Sequence, residues 1–137
     1  VSFLSTVSNT GTLRFMVLKK PLDAPTLIKF FTRLCRDADR KVFVILDNLN
    51  VHKARAVRAW VAAHAEAIAL FYLPAYSPEL NPDEYLNGDL KLSVAKRAPA
   101  RDRDALLRTA TTRLRSLQRR PDQVKKFFHH PRVRYAA

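Results

Sequence analysis

The stretch FVILDNLNVH, Phe43–His52, decides how the chain folds. With Lys41 and Val42 before it, the β-branched and aromatic run KVFVIL reads as a strand buried on both faces, and therefore as a parallel one. The run stops at a carboxylate, Asp47, followed by Asn48. In open α/β sheets, functional groups collect at the carboxyl ends of strands. Asp47 is therefore either an Asx-turn former beside Asn48 or one carboxylate of a metal site.

The segments on either side extend the pattern. Upstream, VSFLSTV and TLRFMVL read as two strands, joined at SNTG, where Asn9 and Gly11 tolerate positive φ, to make a hairpin. Asp23 is placed to cap a helix whose apolar stripe is Leu27, Phe30, Phe31 and Leu34. Downstream, residues 53–66 read as a helix with Val57, Trp60, Val61 and His64 on one side, and AIALFYL reads as another buried strand. Pro74, Ser77, Pro78, Asn81 and Pro82 then make a stiff loop. Pro82 suits the first turn of a helix running through Lys91. After APA comes a helix from about Asp102 to Leu117, with Leu106, Leu107, Ala110, Leu114 and Leu117 inward. Pro121 ends it, and PDQVKKFFHH reads as a short helix. A hairpin followed by strand–helix alternation predicts an α/β fold with a mixed sheet.

The bulk numbers narrow the function classes. At 137 residues and 47% hydrophobic, the chain can bury a core as one domain. Its 25 Lys and Arg against 12 Asp and Glu leave a net charge of +13, a surface that seeks polyanions, nucleic acid first and a membrane surface second. The excess is concentrated from Lys91 onward, where 14 basic residues face 3 acidic ones. No apolar run approaches the ~20 residues that span a bilayer. The lone Cys35 excludes an internal disulfide and a Cys-rich zinc site, and it points to a reducing compartment. The chain begins at Val1 and its one methionine is Met16, which suggests a fragment or an unusual start codon.

Glu84 is the second candidate acid, separated from Asp47 by 36 residues, at the start of the helix after the proline loop. Parallel neighbouring strands would bring both carboxylates to one sheet edge. Carboxylates, water and phosphate oxygens are the ligands that Mg²⁺ and Mn²⁺ prefer. Two such ions ~4 Å apart activate a nucleophile and stabilise the leaving oxygen of a phosphodiester. Taken alone, Glu84 could equally be a first-turn acid favoured by the helix dipole.

Three stretches together, VSNTGTLRFMV, VILDNLNVHKA and FYLPAYSPELNPDEYLNGDLK, resemble the catalytic domain of IS630/Tc1/mariner-type transposases. The Asp-Asn…His motif matches Asp47, Asn48 and His52. The Leu-Pro…Tyr-Ser-Pro…Leu-Asn-Pro…Glu motif matches Leu73, Pro74, Tyr76, Ser77, Pro78, Leu80, Asn81, Pro82 and Glu84. The resemblance implies a ribonuclease-H-like mixed sheet flanked by helices. It implies Asp47 and Glu84 as the second and third metal-binding catalytic acids, with Mg²⁺ or Mn²⁺ as cofactor. Asn48, His52 and Asn81 would lie near the site. The implied activity is DNA cleavage and strand transfer in transposition, with transposon ends and target DNA as partners.

In that family the first catalytic Asp lies on a strand upstream of the hairpin, and here nothing precedes Val1. The expectation is therefore the C-terminal part of a transposase: a partial core over 1–97, and basic helices of the same domain over 98–137. Whether the chain is an enzyme by itself turns on the source of that first acid. The alternative is an inactive remnant that binds DNA or a full-length transposase. Loss of the central strand would leave edges open to self-association or to a missing upstream segment. Lys91, Lys96, Arg97, Arg113, Arg115, Arg119 and Arg120 are candidate phosphate contacts. The expected location is the cytoplasm, at the nucleoid when DNA is bound, with no membrane partner.

Overall fold

The computed structural model describes residues 2–96 and 103–137, apart from the side chains of residues 95 and 96. Among these described residues, four strands and five α-helices follow in the order β1 (Ser2–Val7), β2 (Leu13–Leu18), α1 (Ala24–Asp37), β3 (Val42–Leu46), α2 (Arg55–Ala63), β4 (Ile68–Tyr72), α3 (Asp83–Lys96), α4 (Arg103–Gln118) and α5 (Pro121–Lys126). Short 3₁₀ turns cover Asn50–Lys53, Pro78–Leu80 and Pro131–Ala136. The expected element order holds, and α3 runs beyond Lys91 to Lys96.

The chain forms two compact units, one of residues 1–19 with 82–137 and the other of residues 20–81. Each has its own two-stranded sheet. In the first, β1 and β2 pair antiparallel with Phe3 opposite Val17 and Ser5 opposite Phe15. The Gly11 turn has φ +90, and a Cβ there would lie 2.6 Å from the Pro121 carbonyl oxygen, so close approach to α5 also demands glycine. Leu13, Leu86, Leu114, Leu117 and Val124 form the buried centre of this unit, with Phe3, Val7, Phe15, Leu90 and Phe127 packed around them. Ala110, Leu114 and Leu117 are inward as expected, but Leu106 is 36% exposed. It sits in the first turn of α4, where the helical stripe has outrun the residues it packs on.

In the second unit, β3 and β4 are parallel, as the continuous apolar run suggested. Helix α1 is capped by Asp23, whose carboxylate accepts the Thr26 N–H at 2.9 Å. Hydrogen bonds from Thr26, its side chain first and then its backbone, hold the Asp23 carboxyl below its ordinary pKa. The cap therefore contributes above the usual carboxylate range and is lost as pH falls through the lowered value.

The expectation that KVFVIL and AIALFYL are covered on both faces is wrong. Val44, Leu46 and Ile68 are buried, whereas Phe43 is 64% and Phe71 53% exposed. The register puts Phe43 and Ile45 beside Ala69 and Phe71 on one face, and that face is open. The two rings shelter each other at 6.1 Å, and Lys41 Nζ lies 5.6 Å from the centre of the Phe43 ring. A continuous apolar run reports strand propensity on both faces but not whether a second layer covers each.

Candidate metal and DNA site

Asp47 directly follows β3. Its carboxylate does not close a local Asx turn. Oδ1 accepts the Asn81 side-chain amide at 2.9 Å, from 34 residues further along the chain. This bond aims the half-buried carboxylate and leaves Oδ2 without a hydrogen bond among the described residues. The backbone of Asp47 is fixed separately. His52 is buried at 9% exposure, and its Nδ1 lies 2.9 Å from the Asp47 carbonyl. A carbonyl only accepts, so Nδ1 carries the proton, and in the neutral ring the lone pair sits on Nε2. The Tyr72 hydroxyl donates to the His52 carbonyl at 2.7 Å, and the Leu73 N–H to the Leu46 carbonyl at 2.7 Å. These bonds tie the end of β3 to the end of β4. Asn48 is exposed and takes no part in this network among the described residues.

The loop that supplies Asn81 is stiff. Tyr76 holds a left-handed φ of 57 with a fully exposed ring. A turn over Pro78–Leu80 leads into Asn81, whose N–H bonds to the Pro78 carbonyl at 3.0 Å.

Glu84 belongs to the other unit, in the first turn of α3. Its neighbour Asp83 is engaged, since the Ser5 hydroxyl lies 2.8 Å and 2.9 Å from its two carboxylate oxygens. Glu84 is half-buried and makes no hydrogen bond or ion pair among the described residues. The same helix is held by the fully buried Leu86, by the Tyr85 ring 5.0 Å from His130, and by Asp89. Asp89 receives Arg113 Nε at 2.7 Å and Nη2 at 2.8 Å, a bidentate pair with side chains 23% and 29% exposed. The pair keeps the Arg113 guanidinium protonated even more firmly than usual.

The other candidate cations are spread across the first unit. Lys91, Arg115, Arg119 and Arg120 are exposed. Arg97 lies outside the described residues, as does the side chain of Lys96. Sequence reasoning missed the Ser5–Asp83 and Asp89–Arg113 pairs, because contacts 78 and 24 residues apart leave no local signal. Cys35 has its thiol pKa raised by burial, as an inert thiol should.

The profile of the DDE superfamily endonuclease family matches residues 1–107. The chain belongs to that family. Its fold is similar to the structure titled "Crystal structure of the catalytic domain of Mos1 mariner transposase". The match has a TM-score of 0.65 and 16% identity, and it covers 93% of this chain and 70% of that one. No curated protein matches the chain. The mixed α/β architecture of this family member is therefore ribonuclease-H-like, of the mariner type.

DDE transposase domains generally use divalent metals. The residues here suit such an ion in kind, since Asp47 and Glu84 offer hard oxygen donors, each with an oxygen not claimed by another side chain among the described residues. Among those residues, no three His, Cys, Asp or Glu side chains gather as a ready metal cluster. No described helix is long and apolar enough to cross a membrane.

Proposed function

We propose that the chain carries the second and third acids of a DDE transposase that cleaves DNA and transfers strands in transposition of an IS630-type insertion sequence. Asp47 and Glu84 would hold Mg²⁺ or Mn²⁺, which when bound supplies Lewis-acid activation of water or a 3′-hydroxyl and stabilisation of the departing oxygen. The observation that carries the reading is the Asp47 carboxylate, placed at a strand end with one oxygen oriented by Asn81 and the other left open. Asn81 acts as a positioning residue, and His52 fixes the backbone from which Asp47 projects. DNA is the partner that the family and the net charge of +13 both favour.

The test is nicking of supercoiled plasmid by the full chain with Mg²⁺, Mn²⁺ or EDTA. Nicking that needs the metal and disappears in Asp47→Asn, with DNA affinity within about twofold of the parent, is the expected result. Because the carboxylate is replaced by an isosteric amide, a loss of about 10³-fold or more matches removal of a ligand to the catalytic ion. Equal nicking by the variant would sink the assignment. A second reading has its own support. With no three-ligand cluster among the described residues, the chain could act as an inactive remnant that binds DNA or a full-length transposase. DNA binding without nicking under any metal would favour it.

A further inference from the structure

The family profile ends at residue 107, yet the chain stays folded beyond it. From Arg108 to Ala137 there are nine Lys and Arg against one acid, Asp122. These cations are not equivalent. Arg113 is turned inward and spent on Asp89. Arg108 and Arg115 lie on α4, and Arg119 continues its winding, with its N–H on the Ser116 carbonyl at 3.2 Å. At about 100° per residue, positions 108, 115 and 119 fall within about 40° of arc. The buried Ala110, Leu114 and Leu117 occupy the opposite side. All three arginines are exposed, and among the described residues none has a carboxylate within ion-pair distance. Arg119 Nε donates to the Arg115 carbonyl at 3.3 Å, which holds its stem to the helix and leaves the outer guanidinium nitrogens available.

We infer that Arg108, Arg115 and Arg119 form a row that grips the phosphate backbone of duplex DNA. The inference rests on the reading that the chain handles DNA. The row spans about 17 Å along the helix, the axial rise of about five nucleotides of one strand. Guanidinium groups suit phosphate better than ammonium does, because they present paired donors in one plane. A row of this kind fixes the position of the duplex and carries no base information, so its binding is independent of sequence. A solvated basic helix face is the competing account. It predicts that any three exposed cations are interchangeable.

The experiment measures fluorescence anisotropy of the full chain with a random-sequence duplex over a series of salt concentrations, in EDTA. Metal chemistry therefore plays no part. The row variant is Arg108→Ala with Arg115→Ala and Arg119→Ala. The control removes three exposed cations of α1 through Lys29→Ala, Arg33→Ala and Arg36→Ala, and reaches the same net charge. The row variant should lower the slope of log K against log salt by about 2.7, and the control by less than about 1. Equal losses in both variants, or none in the row variant, overturn the row. So does a parent chain that ignores duplex DNA, or one that prefers anionic vesicles or duplex RNA. Melting curves matching the parent confirm that the variants are folded. A lost slope in a chain that never nicks would refute the catalytic reading and leave the row standing. Nicking that survives with an unchanged slope would do the reverse.

Discussion

Asp83 and Glu84 are adjacent acids in different surroundings. Ser5 occupies Asp83 with its hydroxyl, so that carboxylate joins β1 to the first turn of α3. Glu84 has no such bond among the described residues. Asp83→Ala should therefore cost roughly 1–3 kcal/mol of stability, the range for stranding a hydrogen-bonded partner. Glu84→Gln should stay within about 0.5 kcal/mol while removing metal-dependent nicking. Urea denaturation of both variants, alongside the plasmid assay, measures the contrast. If Glu84→Gln were the destabilising change, the roles would have to be exchanged. Ser5→Ala combined with Asp83→Ala should cost less than the sum of the single changes, because both remove one bond. The sequence singled out Glu84 as a candidate acid by its place after the proline loop and by the motif it shares. Asp83 was not singled out, because its partner lies across the fold.

At the scale of elements, apolar runs, helical periodicity and proline breaks placed the strands and α-helices of the described residues but not everything around them. The stripe of α1 was readable because Leu27, Phe30 and Phe31 recur at helical spacing, and all three are buried. The openness of Phe43 and Phe71 was not readable, since it depends on layers that a strand's own residues do not encode. Arg113 shows the same limit in a charged residue. In sequence it belongs with Arg115 and Arg119, yet the winding of α4 turns it toward α3, where Asp89 meets it. Replacing it should therefore affect folding rather than DNA. Arg113→Ala should lower stability by roughly 1–3 kcal/mol, because it leaves a half-buried carboxylate without its partner. Arg113→Lys should recover only part of that, since an ammonium cannot form the two parallel bonds. Denaturation midpoints test the order Arg, then Lys, then Ala. Unchanged stability in Arg113→Ala would mean that the pair is incidental.

At the scale of the molecule, the first unit is discontinuous in sequence, and its core does not respect the limit of the family profile. Leu13 and Leu86 come from the matched segment, whereas Leu114, Leu117 and Val124 lie beyond residue 107. Each of those three is fully buried, which contributes about 1.5–3 kcal/mol apiece. The total is comparable with the whole stability of an ordinary domain, about 5–15 kcal/mol. The hairpin makes the same dependence geometric, since the Gly11 turn is shaped to meet Pro121 and the Gln118 amide donates to the Leu13 carbonyl at 3.0 Å. A chain cut after residue 107 should therefore lose cooperative melting in this unit and expose Leu13, Leu86 and Phe15 to solvent. Circular dichroism melting and binding of a hydrophobic dye measure both effects. The alternative is that residues 108–137 are an appended basic arm. In that case the shortened chain would melt at the parent temperature and lose only its affinity for DNA. The buried leucines of α4 argue against that outcome, because a solvated arm would not place Leu114 and Leu117 at 0% exposure. The segment that carries the arginine row is thus also the segment that completes the core, so the row is held on a rigid element.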